Sequence, residues 1–170
     1  MAKIAFNKLN AKINSDVTIA QFNGLNIEVK QYLPIKEKMN IIHEIIEQTV
    51  DKNEFYYNPA EVELIKILHI IKKYTNISFT EKQEQDLDKL YDIIISSGLG
   101  KIVIETIPNE EMNTLTELLI KSLDNFYKYS NSAAGILQTS AQSMDNIEKL
   151  KEFASGQDLS VLKDILSHLG

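Results

Sequence analysis

The chain has 170 residues, of which 44% are hydrophobic and 25% charged, and its formal net charge is −6. These values fit one globular domain, long enough to bury a core without disulfides or metal ions. All 18 basic residues are lysines, and cysteine, arginine and tryptophan are absent. The composition therefore excludes disulfides, thiolate metal sites, cysteine nucleophiles and arginine clamps on phosphate. The net negative charge argues against binding to nucleic acid.

The first 33 residues are predicted to be β structure. Asn23-Gly24 stands between two alternating runs, and a type I′ hairpin turn needs positive φ at both of its central residues. A two-residue turn at this point places six mostly apolar residues on one face: Thr18, Ala20, Phe22, Leu25, Ile27 and Val29. The other face is mixed, so we expect one side of the hairpin to pack on a core. Residues 3–9 are a candidate third strand.

After Pro34 the apolar spacing becomes helical. The predicted buried stripe of this first helix consists of Ile35, Met39, Ile42, Ile46 and Val50, with support from Ile41 and Ile45. Its lysines, Lys36 and Lys38, are interpreted as a solvated face. Residues 51–58 are predicted to be a polar and aromatic loop.

Three further helices follow in the prediction. Asn58-Pro59 is typical of a helix start, and apolar residues nearly encircle the segment to about Tyr74, which should be the most buried helix. A capping box at residues 80–83 begins a helix that ends before Gly98. Residues 99–107 favour a short helix, with a β-strand as the alternative. After Pro108, Glu110 and Glu111 lie in the first turn of the next helix, where the helix dipole favours carboxylates.

The predicted fold class is α+β, mostly α, with an N-terminal β-hairpin or small antiparallel sheet packed on a bundle of five to seven helices. We expect a single domain with three parts: residues 1–33 as the hairpin or sheet, 34–139 as the helical core, and 140–170 as a C-terminal helical segment. The last part is separable from the core in composition.

Catalytic and metal-binding patterns are weak. The helical His43-Glu44 pair lacks the second histidine of a zinc helix, because Glu47 occupies that position. His69 lies in an apolar helix, so a core or interface role is expected, and His168 is expected to face solvent. No nucleophile elbow or phosphate-binding loop is present. We therefore predict no enzymatic activity, no catalytic residue, no metal and no cofactor. Apolar runs are too short for a membrane span, so we expect a protein of the cytoplasm.

A family resemblance rests on four stretches of the chain. They are residues 27–35 with Glu37 and Lys38, residues 74–83, residues 89–92 and residues 162–166. These stretches resemble small virion-morphogenesis proteins of phages of low-GC Gram-positive bacteria, which are similar to tail assembly chaperones. The resemblance implies a non-enzymatic protein of the host cytoplasm that binds phage structural proteins, such as tape-measure or tail-tube protein, or itself. It implies no nucleic-acid or membrane partner.

Candidate partner-binding residues lie at the hairpin tip, in the aromatic loop and in the last helix. They are Phe22, Leu25, Phe55, Tyr56, Tyr57, Leu162 and Ile165, and core packing explains each of them equally well. Two other functions stay open at this point. The chain is alternatively a structural virion component, such as a head–tail connector or neck protein, or a small phage inhibitor of a host enzyme or defence system.

Overall fold

A computed structural model describes residues 3–51, 56–130 and 132. Six α-helices and two short antiparallel strand pairs lie within these residues, so the predicted mostly helical α+β class is confirmed. The chain divides into two compact units. One contains residues 1–49 and 58–118, and the other contains residues 50–57 and the chain from Leu119 onward.

The hairpin of the first unit matches the prediction. Strands β1 (Val17–Phe22) and β2 (Leu25–Lys30) pair in the predicted register, with Phe22 opposite Leu25 and Ala20 opposite Ile27. Asn23 and Gly24 have φ values of 51° and 78°, as a type I′ turn requires. The core face is buried at Ala20, Ile27 and Val29, while every residue of the opposite face is exposed.

The residues before the hairpin do not form the candidate third strand. Phe6–Leu9 make one 3₁₀ turn without a buried residue, and residues 3–16, hereafter the leading segment, are exposed throughout. Asn10, in the left-handed region with φ of 50°, ends the turn. The alternation of this segment is too short and too polar to compete for a place in the sheet.

The first two long helices form the centre of this unit. Helix α1 (Ile35–Thr49) packs on α2 (Pro59–Tyr74). The start of α2 is confirmed, since the Asn58 side chain accepts a hydrogen bond from Ala60 N at 3.0 Å. Helix α2 is also the most buried, as predicted, with seven buried residues: Val62, Ile65, Ile67, Leu68, Ile70, Ile71 and Tyr74.

The predicted face of α1 is wrong in part. Its buried residues are Lys38, Ile41, Ile42, Ile45 and Thr49. Ile35 and Met39 are instead 55% and 62% exposed. The helix is turned so that the Lys38 side chain enters the interior, where a carboxylate meets it. The apolar stem of lysine packs readily among apolar side chains, and the interpretation of Lys38 as solvated is therefore wrong.

The capping box is confirmed, but it begins a shorter helix than expected. Helix α3 (Glu81–Glu84) ends after one turn, and Asp86 begins α4 (Leu87–Ser96) by accepting a hydrogen bond from Lys89 N at 3.3 Å. This second N-cap divides the predicted helix in two. Gly98, with φ of 81°, separates α4 from α5 (Leu99–Thr106), so the predicted short helix is confirmed for this segment.

Helix α6 (Asn109–Ser130) begins after Pro108, as predicted, and its residues 109–118 belong to the first unit. Its residues 119–130 belong to the second unit, in which Leu119 and Leu123 are buried. That unit also contains β3 (Val50–Asp51) and β4 (Tyr56–Tyr57), which pair antiparallel. The prediction of a loop over residues 51–58 missed this pair, because two-residue strands carry no periodicity.

Candidate functional site

The hairpin tip carries the most exposed of the predicted contact residues that the structure describes. Leu25 is 70% exposed, whereas its partner Phe22 is half-buried. A two-residue turn makes these two residues a hydrogen-bonded pair, so their side chains lie on the same face. The tip of the hairpin therefore extends an apolar side chain beyond the buried part of its core face.

The two edges of the hairpin differ. The outer edge of β2 is occupied, because Val29 bridges to Thr75 and Glu28 N donates to Asn76 Oδ1 at 3.1 Å. On β1, the main-chain groups of Val17, Ile19 and Gln21 point away from β2, and in residues 3–51 and 56–130 none of them meets another strand. Val17 and Ile19 are 48% and 52% exposed. This edge has neither proline nor charge, the usual protections of an edge strand.

Of the remaining predicted contact residues, two lie in the second unit and three lie outside the described residues. Tyr56 is 61% exposed and Tyr57 half-buried, on β4. Phe55, Leu162 and Ile165, like His168, lie outside the described residues. Phe22 and Leu25 are thus the predicted contact residues that the structure brings together within the first unit.

A buried polar cluster centres on Glu111, which the sequence analysis had explained by its helix position alone. Its Oε1 accepts hydrogen bonds from Leu33 N at 2.9 Å and from the Tyr74 hydroxyl at 2.8 Å. Its Oε2 lies 2.7 Å from Lys38 Nζ, and both side chains of this ion pair are at most 6% exposed. The Lys38 ammonium also lies 4.3 Å from the centre of the Tyr32 ring. One carboxylate therefore joins the start of α6 to α1, to α2 and to Leu33 in the link between the hairpin and α1.

Burial and this carboxylate together set the protonation of Tyr74. Loss of water around the hydroxyl raises the pKa of Tyr74, and the hydrogen bond and negative charge of Glu111 raise it further. Tyr74 therefore stays a neutral donor, which is the form that the cluster needs. The sequence held one signal for this cluster, namely a lysine at the helical spacing of Ile41, Ile42 and Ile45. Its partner lies 73 positions away, beyond any local pattern.

A cleft of about 430 Å³ opens beside this cluster. The Lys38–Glu111 pair forms part of its wall, and its other lining residues include Asn14, Tyr32, Ile35, Pro108, Glu110 and Thr114. A second cleft of about 440 Å³ shares Asn14 and Tyr32 with the first and is otherwise lined by the leading segment. The lysine and the carboxylate of the wall are paired with each other.

His69 on α2 lines a separate cavity of about 220 Å³. Its ring is 11% exposed, with Nε2 3.2 Å from Gln48 Nε2 and Nδ1 3.2 Å from Glu44 Oε2, the latter without an aligned hydrogen bond. Burial lowers the pKa of His69, Glu44 opposes this effect, and Lys73 and Lys72 add to it. A neutral, largely buried histidine is compatible with the expected core or interface role, and the residues that it contacts supply no nucleophile.

Over the described ranges 3–51 and 56–130, no group of three histidine or acidic side chains could hold a metal ion. No helix in the same ranges is long and apolar enough to cross a membrane. Comparison with protein-family models, with curated proteins and with solved structures finds no match to this chain. The assignment of a function therefore depends on the surfaces described above and on the family resemblance.

Proposed function

We propose that this protein is a non-enzymatic phage morphogenesis factor, a tail assembly chaperone that binds tape-measure or tail-tube protein before the tail polymerises. The observation that carries the proposal is the exposure of apolar side chains on the hairpin: Leu25 at its tip, on the core face, and Val17 and Ile19 on the opposite face. The family resemblance of residues 27–35 and 74–83 supplies the identity of the partner.

The hairpin suits such a role because its two edges are used differently. Main-chain groups on the free edge of β1 can form hydrogen bonds with an extended segment of another protein, and the neighbouring side chains can determine which sequences bind. Pairing of this kind protects an exposed strand of the partner until that strand finds its place in the assembled tail. A chaperone of this class requires contact and release, and it needs no catalytic group.

Co-purification from cells that produce the phage tests the proposal. A tagged wild-type chain is expected to retain tape-measure or tail-tube protein, identified by mass spectrometry. Leu25→Asp is expected to lose that protein, because a carboxylate at the tip would be desolvated in the complex. Ile93→Asp on α4 is the matched control, since Ile93 is also exposed, at 53%, and lies away from the hairpin in sequence. Equal retention by wild type and Leu25→Asp would contradict the assignment of this surface.

Purified virions separate the chaperone from the second reading, a head–tail connector or neck protein. A chaperone is released when the tail is complete, so the chain should be present in the lysate and missing from washed particles. A fixed copy number per particle would identify a structural component and overturn the proposal.

A further inference from the structure

The leading segment is the least integrated part of the described chain. Four of its large apolar side chains are 56–75% exposed: Ile4, Phe6, Leu9 and Ile13. Its hydrogen bonds at residues 3–15 are local, such as Lys8 N to Ala5 O and Asp16 N to Asn14 Oδ1. Monomeric proteins seldom leave apolar side chains this close together in water, and such a group marks an interaction surface.

The spacing of these side chains suits a helix that the monomer does not complete. Phe6, Leu9 and Ile13 are three and four residues apart, which places them on one face of an α-helix. In the structure this sequence forms only the 3₁₀ turn Phe6–Leu9. A short amphipathic segment of this kind is marginally stable as a helix in water. It can complete the helix when its apolar face binds in a groove.

The charge of the leading segment is opposite to that of the whole chain. Residues 3–16 contain three lysines, Lys3, Lys8 and Lys12, and one acidic residue, Asp16, whereas the net charge of the chain is −6. A second copy of the same protein therefore attracts the segment, and a basic surface would repel it.

The cleft beside Glu111 fits this occupant. It presents Tyr32, Ile35 and Pro108 as apolar contacts and the exposed carboxylate of Glu110 as a partner for a lysine. Asn14, at the base of the leading segment, lines the same cleft, so a short change of direction there would carry the segment to another molecule. The 11 residues at positions 3–13 and the nine residues that line the cleft give about 20 residues per copy, at the lower end of the roughly 20–30 residues a side of a stable interface.

We infer that the leading segment is an exchanged arm: in a symmetric dimer, residues 3–13 of each copy occupy the Tyr32–Ile35–Glu110 cleft of the other. Exchange of an identical element between two copies of a chain is a low-cost route to a two-fold dimer. The inference does not depend on the proposed function, because it concerns a different surface and a different partner.

Sedimentation of the 170-residue chain over a wide concentration range tests the exchange. Wild type is expected to pass from monomer to dimer. The arm variant Phe6→Ser/Ile13→Ser and the cleft variant Ile35→Asp are each expected to raise the dimer Kd at least about tenfold, and salt is expected to raise it as well. Ile93→Ser, a matched exposed isoleucine on α4, should leave the Kd unchanged. Neither arm residue is buried, so the arm variant keeps its fold, which circular dichroism can verify.

Mixing the two variants distinguishes exchange from other modes of association. The cleft variant has an intact arm and the arm variant an intact cleft, so the mixture should form heterodimers although each variant alone is monomeric. Failure to form heterodimers would overturn the inference. A wild-type chain that stays monomeric, or a dimer Kd that the arm substitutions leave unchanged, would overturn it as well. Arm-dependent binding of a monomeric chain to phosphatidylserine vesicles would assign the segment to a membrane surface instead.

Discussion

Substitution of Glu111 by alanine is expected to be the most damaging single change among the polar residues described. It leaves the Lys38 ammonium buried without a counter-charge and removes the acceptor of Leu33 N and of the Tyr74 hydroxyl. Breaking a buried ion pair by removing one partner costs about 3–5 kcal/mol, and an unsatisfied buried donor costs about 1–3 kcal/mol. These costs overlap, since all three donors share one carboxylate. We therefore expect a loss of about 4 kcal/mol in the free energy of unfolding.

Urea denaturation followed by far-ultraviolet circular dichroism measures this loss through the transition midpoint. The neighbouring Glu110→Ala is the matched control. It removes an exposed carboxylate from the same helical turn and should cost only about 0.3–1 kcal/mol. A double variant, Lys38→Met with Glu111→Leu, replaces the ion pair by apolar side chains and should recover most of the stability. If Glu111→Ala costs less than about 1 kcal/mol, the carboxylate is not the joint between α6, α1 and α2 that its contacts indicate.

Three further predictions concern protonation and the hairpin turn. Because the pKa of Tyr74 is raised, the folded state holds the hydroxyl proton more tightly than the unfolded state. The free energy of unfolding should therefore fall above about pH 10, the unfolded pKa, by up to about 1.4 kcal/mol per pH unit. Tyr74→Phe should remove this part of the loss at alkaline pH, as measured by urea denaturation at a series of pH values. The pKa of His69 is lowered, so the unfolded state binds a proton more readily than the folded state, and the free energy of unfolding should fall as the pH drops below about 6.5, the unfolded pKa. His69→Gln should reduce this loss of stability at acidic pH, as measured by thermal melts from pH 7 to pH 5. Gly24→Ala should cost about 1–2 kcal/mol in chemical denaturation, because a methyl group there meets no atom within 4 Å and the cost arises from the positive φ alone; a neutral result would contradict the type I′ turn.

Local signals in the sequence predicted the parts of the fold that local chemistry determines. Asn23-Gly24 fixed the register of the hairpin, and the caps at Asn58 and Thr80 marked helix starts that the structure confirms. Each of these features depends on residues within four positions of one another. The division at Asp86 was missed because two valid N-caps lie six residues apart, and sequence alone does not decide whether the second one interrupts the helix.

The buried cluster could not be predicted, because its parts are far apart in the chain. Lys38 and Glu111 each had a satisfactory local explanation, one as a solvated lysine and the other as a first-turn carboxylate. Only the tertiary fold places their charged groups 2.7 Å apart. The same limit applies to the cleft beside them, which residues from three separate stretches of the chain line. By contrast, the exposure of Leu25 follows from its place beside a hairpin turn, where the sheet ends.

The central claim, that this protein acts by holding a tail protein in a soluble state, is tested most directly by co-expression. Tape-measure protein from the phage that the proposal implies is produced alone, with the wild-type chain or with Leu25→Asp, and its soluble fraction is measured. We expect it to be largely insoluble alone, soluble with the wild-type chain, and insoluble again with Leu25→Asp. A soluble fraction that is the same in all three cases, measured for tape-measure and for tail-tube protein alike, would contradict the claim.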